Sequence, residues 1–143
     1  ADHLAAIVGA EKVLGGLWRV FSEIKAPGVI RHMKPGAYIE FGELDGLISS
    51  RANRLHKAFE DSGIETNVSH NIRTALWEKL LYVSSWAGLS TLSRSPIGEI
   101  LSHAELRNLV DRSINEGIAV GQIGAALEED LTHERLNRLC RVS

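Results

Sequence analysis

Residues 75–81 read ALWEKLL and place one lysine, Lys79, inside a run that is otherwise mostly apolar. At a helical advance of about 100° per residue, Lys79 lies at the centre of an apolar sector that also holds Val83. The opposite side is apolar as well, at Leu81 and Leu92, so the pattern predicts a helix buried on several sides. A charged amine in such a helix needs a counter-charge, a route to water for its head, or a chemical role.

The helix around Lys79 is predicted to run from about Asn71 to Ser93, because Ser95-Pro96 disfavours its continuation. Residues 102–105 form a capping box, in which a serine and a glutamate satisfy free backbone amides at the start of another long helix. A last helix is predicted over residues 132–140. The chain after residue 69 is therefore expected to be helical throughout.

Two glycines of the second long helix, Gly117 and Gly121, lie about one turn apart. Each would cost about 1 kcal/mol relative to alanine if it were exposed. The close approach of another helix would offset that cost and is the favoured interpretation. A ligand passing over the glycine surface is the alternative.

The chain before residue 69 has a different pattern. Strands and turns alternate, and the short turns favour antiparallel pairing. The predicted strands span residues 12–22, 28–33 and 37–42, with turns at Pro27-Gly28 and residues 34–36. An amphipathic helix from about residue 47 to 62 and an extended segment from 65 to 69 follow. The change near Ser69 predicts a domain boundary there.

Composition narrows the class of protein. The 143 residues are 44% hydrophobic and 24% charged, which favours a folded chain over a disordered one. The formal net charge of -2 gives no reason to expect a nucleic-acid partner, and no apolar run is long enough to expect a membrane span. The single cysteine, Cys140, excludes an intrachain disulfide and fits a cytoplasmic setting. The chain opens on Ala1 and has Met33 as its one methionine, so we expect a segment of a longer protein.

Common catalytic and binding motifs are missing from the sequence. The six histidines show no metal-ligand spacing, so no metal site is predicted. Neither a glycine-rich phosphate loop nor a nucleophile elbow is present. Local motifs alone therefore do not identify an enzyme. The best single candidate is Lys79, either as a general acid or anion-binding amine, or as a lysine whose head reaches water or pairs with Glu99.

The order of the sequence signals resembles the ketopantoate reductase family along nearly the whole chain. The segments that carry the resemblance are VLGG (13–16), PGVI (27–30), IEFGELDG (39–46), GI (63–64), LWEKL (76–80) and EGIAV (116–120). The resemblance implies an α/β region followed by an all-α region. Residues 1–68 would be the end of a Rossmann-type NADPH-binding domain, and residues 69–143 the first part of a helical substrate and dimerisation domain.

The resemblance also implies an activity: NADPH-dependent reduction of a 2-keto acid, 2-dehydropantoate to pantoate or a related substrate, in pantothenate biosynthesis. Lys79 would bind the substrate and act as the general acid. The glycine-rich cofactor loop would precede Ala1 and further substrate contacts would follow Ser143, so no cofactor-binding residue is assigned and the segment alone is expected to be inactive. The expected partners are a small keto acid and a second copy of the chain in a homodimer.

The sequence departs from the family at two positions. Ketopantoate reductases typically carry asparagines one and two helical turns after the lysine, where this chain has Val83 and Ala87. Neither side chain can form hydrogen bonds, so a different substrate is expected. Ser84, Ser90 or Thr91 could compensate. Two alternatives stay open: a non-catalytic helical interaction module, and a sibling hydroxy-acid dehydrogenase with another substrate.

Overall fold

The computed structural model describes residues 2–33 and 37–123. It contains two compact units, Ala1–Ala75 and Leu76–Ser143. The predicted turn at residues 34–36 and the predicted helix at 132–140 lie outside the described residues. The domain boundary expected between residues 68 and 69 stays a prediction.

The first unit is built from short strands and two helices. Helix α1 (Asp2–Val8) and a 3-10 turn (Ala10–Lys12) precede β1 (Leu14–Arg19), β2 (Ser22–Ala26), β3 (Val29–His32), β4 (Tyr38–Glu43), α2 (Ser50–Asp61) and β5 (Glu65–Val68). One sheet has the order β1-β4-β5, in which β1 pairs antiparallel and β5 pairs parallel with β4. The parallel pair is joined through α2, as a parallel connection requires.

The strand pairing differs from the sequence prediction. The segment expected to be one strand over residues 12–22 is two strands, because the hydrogen-bond partner changes at Val20-Phe21: Arg19 lies opposite Tyr38, but Ser22 lies opposite His32. Strands β2 and β3 form a separate antiparallel hairpin around the predicted turn at residues 27–28. The predicted second and third strands therefore do not pair with each other.

Two glycines let the end of β4 pass close to the segment after β5. A Cβ atom on Gly42 would lie 2.4 Å from the backbone oxygen of Ser69, and one on Gly46 would lie 2.5 Å from that of His70. Gly46 also has a φ of +80°, a backbone conformation that residues with a Cβ atom rarely adopt. The FGELDG stretch thus contains glycine where the backbones meet.

Helix α2 covers the sheet in the way that its amphipathic pattern predicts. Ala52 is fully buried, and the rings of Phe59 and Phe41 in β4 lie 6.0 Å apart at 59°. His56 Nδ1 lies 2.6 Å from the hydroxyl of Thr66 in β5. The helix ends at Asp61, close to the predicted end at residue 62, and Gly63 follows with a φ of +73°, a conformation typical of a glycine after a helix end.

Three helices dominate the rest of the chain. Helix α3 (Ile72–Ser93) matches the predicted span of Asn71–Ser93, and α4 (Ile97–Ser102) and α5 (Ala104–Ile123) follow. The core of the second unit consists of apolar side chains from all three helices: Leu81, Trp86, Ile100, Val110, Ile114 and Ile118. None of the described helices is both long and apolar enough to cross a membrane. The α/β-then-all-α class is confirmed.

The predicted capping box is wrong. Ser102 is the last residue of α4, and its hydroxyl donates to the backbone oxygen of Glu99 at 2.6 Å. Helix α5 begins at Ala104, and His103 supplies the first backbone acceptor, to Arg107 N at 3.0 Å. The sequence matched the box because a short helix ends immediately before a long one begins.

Candidate functional site

Lys79 lies in α3, in the part of the helix that belongs to the second unit, and its side chain is half-buried. Val83 and Ala87, one and two turns further along, are both exposed, Val83 with 47% of its surface. Leu80, beside them, is 52% exposed. The structure therefore places Lys79 on the same open side of the helix as Val83 and Ala87, the two positions where the sequence departs from the family.

The buried side of α3 is narrower than the sequence pattern suggests. Glu78, Leu81 and Ser85 are buried, at 6%, 4% and 2% exposure, and they lie on one helical stripe. Leu92, expected to be buried, is 87% exposed. Trp86 is also buried, at 5% exposure, but Leu80, Val83 and Ala87 are exposed, so the expectation of burial on several sides is wrong for the side of α3 that carries these three residues.

Helix α5 meets that stripe at a glycine, as predicted. A Cβ atom on Gly117 would lie 2.1 Å from Leu81 Cδ2. The indole N–H of Trp77 donates to the backbone oxygen of Gly117 at 3.2 Å, and the hydroxyls of Ser85 and Ser113 are 3.1 Å apart. These contacts show that the two helices run antiparallel, and they fix the rotation of α3. They therefore determine which side of α3 carries Lys79.

The first unit contains a charge network that the sequence analysis missed. Glu43, at the end of β4, accepts hydrogen bonds from Ser49 Oγ at 2.5 Å and Arg51 Nε at 2.7 Å. The Arg51 hydrogen bond is the main cause that lowers the pKa of the Glu43 carboxyl below 4.5, and the Ser49 hydroxyl adds to it. Ser49 Oγ also accepts from Ala52 N at 3.1 Å and so caps α2. The sequence signal that could have predicted this cap is a serine directly before an amphipathic helix.

A cleft of about 380 Å³ lies beside this network and is lined by charged side chains, among them Asp2, Glu11, Asp45 and Arg73. The arginine among its described lining residues is already engaged: Arg73 donates to Asp2 Oδ1 at 2.9 Å and to the backbone oxygen of Leu44 at 3.2 Å. The same arginine is the main cause that lowers the pKa of Asp2. These bonds tie α1 to the rest of the unit, which is a structural role. Across residues 2–33 and 37–123 no group of three or more His, Cys, Asp or Glu could hold a metal ion.

Comparison with known families identifies the class of protein. Residues 71–142 match the family model described as the C-terminal domain of ketopantoate reductase (PanE/ApbA). The match covers half of the chain and includes the whole face of α3 that carries Lys79. The chain belongs to the ketopantoate reductase family.

Individual relatives agree with this family. The chain is 32% identical over 115 residues to an uncharacterized oxidoreductase, YkpB, of Bacillus subtilis, covering 80% of this chain and 38% of the relative. It is 30% identical over 115 residues to a 2-dehydropantoate 2-reductase of Mesorhizobium japonicum, covering 80% and 35%. The chain thus spans less than half the length of the curated relatives it matches.

Solved structures share the fold. The 2-dehydropantoate 2-reductase of Geobacter metallireducens superposes with a TM-score of 0.84 at 26% identity, covering 99% of this chain and 46% of that one. D-mandelate dehydrogenase in complex with NADH superposes with a TM-score of 0.77 at 20% identity, covering 90% and 41%. The second likeness shows the fold alone.

Proposed function

We propose that the intact protein reduces a 2-keto acid with NADPH and that Lys79 is its general acid. The observation that carries the proposal is the half-buried position of Lys79 within the residues that match the family model. In this proposal residues 1–68 end the cofactor domain and residues 69–143 begin the helical one. The cytoplasmic setting stays a prediction.

The chemistry assigned to Lys79 is a proton transfer. The ammonium at Nζ donates a hydrogen bond to the keto oxygen of the substrate and passes its proton to that oxygen as the carbonyl becomes a hydroxyl. Partial burial strengthens this interaction, because the field of a charge is less screened away from bulk water. Partial exposure lets the neutral amine regain a proton from water before the next turnover.

NADPH would supply the hydride when bound. The residues that the structure describes contain no strand that leads through a glycine-rich loop into a helix, the usual cradle of a dinucleotide pyrophosphate. They therefore do not fit this group by themselves, and no step is assigned to them through the cofactor. Cofactor binding is a property proposed for the intact protein.

The proposal is tested by replacing Lys79 in the intact protein. Lys79→Ala should lower kcat about 10²- to 10⁴-fold, the usual contribution of a positioned general acid, with little change in the Kd for NADPH. Lys79→Arg keeps a positive charge but cannot release a proton, so it should retain the KM for the keto acid better than it retains kcat. The matched control is Lys57→Ala, which removes an exposed lysine paired with Asp61 on α2. Turnover of Lys79→Ala at the rate of the control would remove Lys79 from the mechanism.

A non-catalytic interaction module is the second candidate. Exposed apolar side chains at the ends of α3 and α5, Leu92 at 87% and Ile123 at 88%, are surface that a second copy could cover. The glycine surface gives less support than the sequence suggested, because Gly117 already packs on Leu81 within the unit. Fluorescence titration with NADPH separates the two candidates, since a module predicts no saturable binding.

A further inference from the structure

The open side of α3 next to Lys79 is a strip of hydrocarbon. Leu80 and Val83 are 52% and 47% exposed, Ala87 is exposed, and Leu76 is partly exposed on the same side. At 1.5 Å per residue, Val83 and Ala87 lie about 6 and 12 Å along the helix from Lys79. One cation therefore stands at the end of a surface whose side chains contain no hydrogen-bonding atom.

Two serine hydroxyls next to this strip are already engaged. Ser84 Oγ donates to the backbone oxygen of Leu81 in its own helix at 3.3 Å. Ser85 is buried on the other side and pairs with Ser113 at 3.1 Å. Of the three residues that were expected to compensate for Val83 and Ala87, Ser84 is thus turned back onto its own helix. Ser90 and Thr91 lie about one turn beyond Ala87, at the far end of the strip from Lys79.

We infer that Val83 and Ala87 select a 2-keto acid whose side chain is a hydrocarbon without a hydroxyl group. This inference rests on the proposed function, since it takes Lys79 as the group that binds the keto-acid end. The substrate's carbonyl and carboxylate lie at the ammonium of Lys79, and its branched or aromatic side chain lies over Val83 and Ala87. A hydroxyl on that side chain would find no hydrogen-bonding atom on the side chains of Leu80, Val83 and Ala87.

The expected discrimination is moderate. Even an enclosed apolar pocket rejects a substrate that merely adds a hydroxyl by only about a hundredfold, so on this open side of α3 we expect a factor of about ten. Two acids test this directly, because 3,3-dimethyl-2-oxobutanoate and 2-dehydropantoate differ only by that hydroxyl. We expect the kcat/KM of the intact protein to be higher for 3,3-dimethyl-2-oxobutanoate by about this factor. A preference for 2-dehydropantoate would overturn the inference.

The residues are tested by the double variant Val83→Asn/Ala87→Asn. The two asparagine amides can form hydrogen bonds with a hydroxyl. The kcat/KM for 3,3-dimethyl-2-oxobutanoate divided by that for 2-dehydropantoate should therefore fall about tenfold or more. Leu92→Asn is the matched control, because it adds an amide to an exposed apolar position of the same helix away from Lys79. An equal change of the ratio in both variants would overturn the assignment to Val83 and Ala87.

Binding without turnover keeps the inference separate from the proposed function. Calorimetric titration of the intact protein with each acid, in the presence of NADP⁺, measures the two Kd values directly. Tighter binding of 3,3-dimethyl-2-oxobutanoate with no reduction of either acid would contradict the reductase proposal. It would still support the inference that Val83 and Ala87 select a keto acid without a hydroxyl group. Tighter binding of 2-dehydropantoate, or no binding of either acid, would overturn the inference.

Discussion

The packing of α5 on α3 at Gly117 makes a quantitative prediction. In Gly117→Ala the new Cβ would lie 2.1 Å from Leu81 Cδ2, so one of the two carbons must move by about 1.4 Å to reach an ordinary contact distance. Leu81 is 4% exposed and packed in the core of the unit, which limits its room to turn away. Overpacking of this kind typically costs about 1–3 kcal/mol.

The helix propensity of alanine opposes that cost. Alanine is about 1 kcal/mol better than glycine in a helix interior, so the net loss of unfolding free energy in Gly117→Ala should be about 0–2 kcal/mol. Gly88→Ala is the matched control, because Gly88 lies in α3 and an added Cβ meets nothing within 4 Å. That variant should gain about 0.5–1 kcal/mol. The two variants make the same chemical change and are expected to differ in sign.

The assay is urea denaturation of the intact protein, followed by the fluorescence of its tryptophans. A double-mutant cycle with Leu81→Ala isolates the contact, since removing the leucine removes the clash. The double variant should be less destabilised than the sum of the single changes by about 1–3 kcal/mol. If Gly117→Ala is stabilised as much as Gly88→Ala, the described approach of α3 and α5 is incorrect.

Three further predictions concern the first unit. The pKa of Glu43 is lowered in the folded chain, so its ionised carboxylate stabilises the fold above pH 4.5, the ordinary carboxyl value, and this stability is lost as the pH falls through the lower folded pKa. Glu43→Gln should therefore flatten the dependence of Tm on pH below 4.5 and cost about 1–3 kcal/mol at neutral pH. An unchanged pH dependence would speak against the hydrogen bond from Arg51. Ser49→Ala should cost at least about 1 kcal/mol, because it removes both the α2 cap and the hydroxyl that donates to Glu43. Ser49→Asn, another good cap, should retain the stability that the cap supplies in the same denaturation assay. Gly42→Ala should cost at least the upper end of the range of about 1–3 kcal/mol, because the clashing atom is the backbone oxygen of Ser69; a neutral effect in thermal melts would show that the strand end is not close to that segment.

Local sequence signals predicted the span of α3, but the contacts between residues distant in the sequence could not be predicted. The span of α3 followed from the Ser95-Pro96 pair, a local signal, and the close approach at Gly117 followed from the cost of glycine in a helix. The burial of Glu78 and Ser85 could not be predicted, because it depends on where α5 packs, some 30 residues later in the chain.

The strand errors have a similar cause. The run from residue 12 to 22 has strand character throughout, but its two halves pair with different partners, β4 and β3. Pairing partners are set by contacts across the sheet and not by the strand's own composition. For the candidate site, spacing alone predicted that Lys79, Val83 and Ala87 share one side of α3. The exposure of that side required the structure.

The central claim is that Lys79 gives its proton to the substrate, and chemical rescue tests it most directly. The rate of NADPH oxidation by the Lys79→Ala variant of the intact protein is measured with a 2-keto acid, with and without added ethylamine. We expect a rate at least about 10²-fold below that of the unaltered protein, restored in part and saturably as the amine takes the place of the missing side chain. A Lys79→Ala variant that turns over as fast as the unaltered protein, with no response to the amine, would contradict the account.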